Sequence, residues 1–178
     1  NYFAWELMKA LAVSDRLGLV RYVSVQPCYS LADRTPEKEL VPLCLDQGVG
    51  IIPYFPLAGG ILTGKYGDGG QVPKGSRVDK EPHSLIAQRL NDNYLRLSRE
   101  VAALAAELGT TPAALSLAWL MSRPAVSTII VGATGEEQVA SNAECLSLKL
   151  DDATLEKLDR MSEPFLYSPP FASYRLTP

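Results

Sequence analysis

The residues of this chain that could do chemistry are few and scattered. There is one histidine, His83, beside Pro82 in an irregular stretch, where a solvent-exposed loop position is the simplest reading. The three cysteines, Cys28, Cys44 and Cys145, are odd in number, far apart and outside any metal-ligand spacing, so they read as reduced apolar packers rather than as ligands or nucleophiles. Tyr29 and Lys38 offer a phenol and an amine, but no spacing joins them into an acid-base pair. What remains is the Gly- and Pro-rich stretch from Pro56 to Pro82, too long for an ordinary connector and therefore suspected of function. Taken alone, its Lys65 and Arg77 would be solvated surface charges.

The elements that must position such a loop follow from periodicity and punctuation. Trp5, Met8, Leu11 and Ala12 fall at helical spacing and the pattern stops at Gly18, a residue suited to a left-handed helix end. Residues 22–26 are β-branched and aromatic enough for a strand. Thr35-Pro36 opens a helix that Gly48 closes. Residues 50–54 form a second strand and 127–131 a third, each apolar throughout, as strands covered on both faces of a parallel sheet are. Between the second and third strands lie two helices, one entered at Asn91 and stopped by Gly109, the other entered through Thr111-Pro112. A helix over 136–143 and another capped by Asp151 or Asp152 follow, and the tail from 164 to 178 reads as irregular. Alternating strands and helices imply β-α-β units. Three strands cannot close a barrel of eight, so the expected fold is α/β, either an open sheet or the part of a (β/α)8 TIM barrel.

Composition narrows the class of partner. The 178 residues are 47% hydrophobic with a net charge of -3, enough for one buried core and without a basic cluster for nucleic acid. No run of membrane-spanning length or signal-like start occurs, so no nucleic acid and no membrane are expected, and a cytoplasmic setting is. The chain opens at Asn1 directly into a helical pattern, which suggests that sequence precedes it.

The run Tyr54-Phe55-Pro56-Leu57-Ala58-Gly59-Gly60-Ile61-Leu62-Thr63-Gly64-Lys65-Tyr66 closely resembles the segment after the seventh barrel strand of aldo-keto reductases. Val23 to Ser30, Pro73-Lys74-Gly75-Ser76-Arg77, and Ile130-Val131-Gly132-Ala133-Thr134 through Gln138 to Asn142 fit the same family in order and spacing. The Gly-Lys-Tyr and Gly-Ser-Arg elements are most similar to the branch of potassium-channel beta subunits and bacterial aldehyde reductases. The resemblance implies the C-terminal portion of a (β/α)8 barrel spanning 1–178, with 56–82 as a loop that wraps a nicotinamide cofactor.

It also implies roles. Asn1 and Gln26 would hold the nicotinamide carboxamide, and Tyr54 would stack on the ring, with Phe55 and Pro56 leading into the loop. Leu57, Gly59, Lys65 and Arg77 would surround the pyrophosphate, where glycine permits close backbone approach and the cations offset phosphate charge. Gly132, Ala133, Thr134, Gln138 and Asn142 would take the adenosine end at a strand terminus and the helix after it. Ser141 stands where many relatives carry an acid, and no Lys or Arg occurs between Gly132 and Asn142. The resemblance implies NADP, the family default, and the lack of a cation for its 2'-phosphate leaves NAD open. The family's Tyr, Lys, Asp and His for carbonyl reduction belong to earlier strands, so no catalytic residue is assigned here. An incomplete barrel exposes strand edges and is expected to form a homo-oligomer or to pair with an N-terminal half. The substrate of the complete enzyme would be a small carbonyl compound; the alternatives are a non-catalytic, cofactor-binding regulatory subunit and a half-barrel fragment lacking activity.

Overall fold

A computed structural model describes residues 1–66 and 72–169, with Arg77 and Leu85 described for their backbone only. The first helix, α1 (Ala4–Leu17), starts where Glu6 Oε2 accepts the Phe3 amide at 2.8 Å and ends at Gly18, whose φ of 62° is the left-handed conformation that glycine adopts without strain. Its buried stripe is Leu7 and Leu11, whereas Trp5 is 58% exposed. The apolar pattern through Trp5 and Met8 is thus helical as read, but that face is only partly covered among the described residues.

The sheet consists of β1 (Ser24–Val25) and β2 (Gly50–Ile51), parallel, with Ser24 beside Gly50 and Val25 beside Ile51. The pairing runs on past both. Ile52 N–H donates to Val25 at 2.9 Å, Tyr54 N–H to Pro27 at 3.0 Å, and Tyr29 N–H to the Tyr54 carbonyl at 3.4 Å. On the other side of β2, Ile51 donates to Ala125 at 2.7 Å and accepts from Ser127 at 3.0 Å. The next bond in this direction, Ile130 N–H to Pro53 at 3.0 Å, lies three residues on along one segment and two along the other. Pro53 has no N–H to donate to residue 127, so the ladder loses a rung and slips by one residue. This is why residues 127–131 run extended beside β2 without forming a regular strand.

Between these strands stand the short helix α2 (Leu40–Gln47), preceded by a single 3-10 turn over Thr35–Lys38, and, after β2, a longer excursion. That excursion holds a 3-10 coil over Ala58–Thr63 and two short helices, α3 (Arg77–Lys80) and α4 (Leu85–Arg89). It leads into α5 (Asp92–Glu107) and α6 (Pro112–Met121), then α7 (Glu136–Ala143) and α8 (Asp152–Ser162). Every residue of α6 from Ala113 to Leu120 is buried, so it is the central helix of the core, and Thr111 Oγ1 caps it by accepting the Ala114 amide. Asn91 caps α5 in the same way, accepting from Asn93 at 3.1 Å and Tyr94 at 3.4 Å. Replacing Asn91 by Ala is expected to cost ~1 kcal/mol. The measurement is the shift in the urea midpoint at constant slope; no shift would show that the two bonds are matched by water.

One buried polar cluster ties α8 to the rest. Arg34, 6% exposed, pairs with Glu37 at 2.7 Å and donates to the Asp159 carbonyl at 2.8 Å and to Ser162 Oγ at 3.0 Å. The fully buried Trp119 lies between Arg34 and Arg123, whose guanidinium carbons are 5.5 and 4.5 Å from its ring centroid, and its Nε1 donates to Asp159 at 2.9 Å. Tyr29, also buried, donates to Glu37 at 2.9 Å rather than meeting Lys38, whose ammonium lies over Tyr167. Burial and the Glu37 carboxylate raise the Tyr29 phenol far above its ordinary range, so it stays protonated. The tail begins with a 3-10 turn at Glu163–Phe165, where Phe165 packs on Tyr94 with centroids 4.8 Å apart; residues 170–178 lie outside the described residues.

Candidate cofactor groove

The three cysteines are buried and joined by no disulfide, and burial pushes the Cys44 thiol up to about 11, so it is neither a ready nucleophile nor a ligand. Among the described residues no group of three or more His, Cys, Asp or Glu could hold a metal ion. His83 is exposed. No single helix among them is long and apolar enough to cross a membrane; α5 and α6 satisfy that test only as a pair bent by 95°.

What the fold does build is a groove. From Tyr54 the chain leaves β2 and at once takes left-handed turns that L-residues avoid: Phe55 has φ 54° and Ala58 φ 48°, followed by Gly59 at 65° and Gly60 at 101°. Strain at two non-glycine positions, ~1–3 kcal/mol each, persists only where the surroundings hold it, and it is concentrated here. Amides of Ala58 and Gly60 bond back to Phe55 and Leu57 at 2.9 and 2.8 Å, closing the coil on itself. Gly60 needs its hydrogen: a Cβ there would stand 2.4 Å from Lys65 Nζ, so the lysine side chain lies across the glycine. Ser98 Oγ, from α5, donates to the Ile61 carbonyl at 2.7 Å and anchors the coil from below.

The opposite wall comes from the segment beside β2 and from α7. Together the walls enclose about 670 Å³, the size of a cofactor-scale cleft. Tyr54, Phe55, Pro56, Leu57, Gly59 and Lys65 line it from one side, and Gly132, Gln138 and Asn142 from the other. Gln138 is held in place by accepting from Thr134 N at 3.0 Å and Thr134 Oγ1 at 3.3 Å. The Tyr54 phenol is raised by burial, an effect partly offset by a hydrogen bond with the Asn1 side chain, which places Asn1 at the tyrosine end.

Other residues named from sequence stand apart from this wall. Gln26 is exposed at the end of β1, next to the rung that joins Val25 to Ile52, and does not line the groove. Ala133 faces a different cavity, behind the 126–131 segment, which Asn142 also borders. Arg77 opens α3, and its side chain lies outside the described residues. Conversely, Gly60, Thr63 and Thr111 line the groove without having been singled out for it, and Ser141, which stands where many relatives carry an acid, lines it too. Thr111 and Ser141 approach each other at 3.5 Å between hydroxyl oxygens, joining the α6 cap to α7. The signal for Thr111 was its place as a helix cap, which explains its residue type without pointing to a groove.

A β2-end aromatic, a left-handed Gly-rich coil bearing a lysine, and a strand-to-helix turn facing it define one sequence class. The chain belongs to the Aldo/keto reductase family, whose pattern it matches over residues 1–163. It is 37% identical over 165 residues to a "Probable voltage-gated potassium channel subunit beta" of Arabidopsis thaliana, covering 90% of this chain and 50% of that protein. A "Putative voltage-gated potassium channel subunit beta" of Schizosaccharomyces pombe is 35% identical over 98% of this chain and 51% of its own length. The "NADH-specific methylglyoxal reductase" of Escherichia coli is 35% identical over 140 residues, 78% of this chain and 41% of that protein. The chain thus spans about half the length of the curated relatives it matches. Aldo-keto reductases are oxidoreductases that use nicotinamide cofactors on a (β/α)8 barrel, and the helix-rich α/β arrangement with a small parallel sheet is consistent with part of one.

Proposed function

We propose that this chain is the cofactor-binding, C-terminal part of an aldo-keto reductase barrel that serves NADP(H)-dependent reduction of a small aldehyde or ketone to an alcohol. The observation that carries the reading is the shared groove: the coil after Tyr54 and the turn after Val131, far apart in sequence, form two walls of one cleft. The residues present fit a dinucleotide. Tyr54 with Asn1 takes the nicotinamide end, Leu57, Gly59 and Lys65 the pyrophosphate, with Arg77 closing the loop over it, and Gly132, Gln138 and Asn142 the adenosine. Ala133 and Thr134 act indirectly, by shaping the turn and fixing Gln138. When bound, the cofactor supplies the hydride; the chain's own residues orient it, screen its phosphates and cover one face of its ring. The groups that protonate the carbonyl oxygen are carried by the earlier strands of the barrel, so catalysis belongs to the assembled protein. The setting proposed is the cytoplasm, which fits three buried cysteines joined by no disulfide.

A second reading is favoured by the names of two relatives: a non-catalytic subunit in which cofactor occupancy governs association with a partner. Both readings require binding. Titration of the chain with NADPH and, in parallel, NADH, followed by quenching of tyrosine and tryptophan fluorescence, is expected to saturate below millimolar cofactor. The absence of quenching by either nucleotide would remove both readings, while saturation by NADH alone would reassign the cofactor and leave the groove in place.

A further inference from the structure

The Gly-rich coil after β2 has two faces. Gly59, Gly60, Thr63 and Lys65 line the groove, whereas Ile61 and Leu62 are fully buried in the core. Left-handed angles at Gly59 and Gly60 interrupt the helix, so the coil is not held by a regular ladder of its own. What holds it is its rear. Ser98 Oγ, 2.7 Å away, donates to the Ile61 carbonyl, and a Cβ on Gly64 would come within 3.4 Å of Pro112 Cγ and 3.5 Å of Ala102 Cβ. The coil is thus seated in the corner between α5 and α6. On the groove face the Lys65 side chain folds back across Gly60, whose carbonyl accepts from Thr63 Oγ1 at 2.8 Å.

Ser98 is a poor residue for packing alone. The buried stripe of α5 is otherwise Tyr94, Leu97, Val101, Leu104 and Ala105, and a hydroxyl within it adds no apolar surface and must find a partner. Buried helix serines commonly turn the hydroxyl to the carbonyl one turn back. Ser116 in α6 and Ser162 in α8 do so, donating to Pro112 and Leu158 at 2.8 and 2.6 Å. Ser98 instead reaches a segment 37 residues away. We infer that Ser98 is a positioning residue for cofactor binding: by holding the Ile61 carbonyl it fixes the coil where Lys65 presents its ammonium to the groove. The role rests on the reading of the groove as the cofactor's, with Lys65 at the phosphates. Without the hydroxyl the buried carbonyl loses its donor, and its desolvation drives the coil to shift toward water. Gly59 and Gly60, with the widest backbone freedom, absorb that shift, and it is Gly60 that Lys65 lies across.

The test is a double-mutant cycle on the full chain: unsubstituted, Ser98→Ala, Lys65→Met and both together, each titrated calorimetrically with NADPH at low and high salt. Ser98→Ala alone is expected to raise Kd roughly five- to tenfold and to flatten its dependence on salt. Added to Lys65→Met it should change Kd by less than about twofold, because the position it fixes no longer carries a charge. A serine that served only the fold would weaken binding equally in both backgrounds and leave the salt dependence as it was. Without nucleotide, amide exchange over residues 57–65 should rise in Ser98→Ala while that over α6 holds. Additive effects in the cycle, native affinity in Ser98→Ala, or unchanged exchange over the coil would overturn the positioning role and leave the groove in place. No binding by the unsubstituted chain would remove the reading of the groove and this role with it.

Discussion

Gly60→Val is expected to abolish most cofactor affinity while leaving the chain folded. At φ 101° a side chain is strained whatever the space, and its Cβ would stand 2.4 Å from Lys65 Nζ and 2.6 Å from Lys65 Cε. Lysine is flexible, so the fold yields by moving that side chain rather than the backbone, and the ammonium leaves its place across the coil. A charge-assisted contact to a phosphate is worth ~1.5–3 kcal/mol, so Kd should rise roughly ten- to a hundredfold or more. Lys65→Met is expected to lose a similar share without the backbone strain and to show a weaker dependence of Kd on salt. Isothermal titration of both variants with NADPH separates them from simple unfolding, because the thermal midpoint should fall by only a few degrees in Gly60→Val and hardly at all in Lys65→Met. Native affinity in both would mean that the coil does not meet the phosphates.

The second large effect concerns stability. Trp119→Ala removes a fully buried indole from between two guanidinium groups, together with its bond to Asp159 and its edge contact with Tyr29 at 5.9 Å between centroids. Truncation of a buried tryptophan costs ~3–5 kcal/mol from packing alone. Asp159 keeps its pairings with Arg34 and Arg123 at 3.5 and 3.3 Å but loses the indole that holds the three in register. The expected result is an unfolding midpoint displaced far toward low urea, with α8 opening first; hydrogen exchange over residues 152–165 should rise before that over α6. A loss under 1 kcal/mol by urea titration would show that the cluster repacks as a unit and is not the clamp described.

How far all this could be read from residues alone depends on the kind of signal. Helix limits were legible because they are local chemistry: Gly18, Gly48 and Gly109 adopt left-handed angles of 62°, 64° and 65°, and Asn91, Thr111 and Asp151 accept the amides that follow them. The parallel sheet was legible from apolar runs joined by helices. Its broken third member was not, since that depends on which residue of the neighbour faces Pro53. The covered face of α1 was not legible for a related reason: periodicity shows that Trp5 and Met8 share a stripe, but only neighbours decide whether the stripe is covered. Within the groove, Tyr54, Gly59 and Lys65 could be named because a run of residues resembles a family. Thr111 could not, because what brings it there is the packing of α6 on α7, a long-range fact. The cluster of Arg34, Trp119, Arg123 and Asp159 left no trace in spacing at all, its members being spread over two helices and two connecting segments.

Two distant segments that share one dinucleotide must respond to it together, and amide hydrogen exchange with and without NADPH reads this directly. Protection is expected to rise together in residues 55–65 and 132–142, with a common dependence on cofactor concentration, and to stay unchanged in α8. Protection confined to one of the two segments, or absent from both at saturating nucleotide, would contradict it.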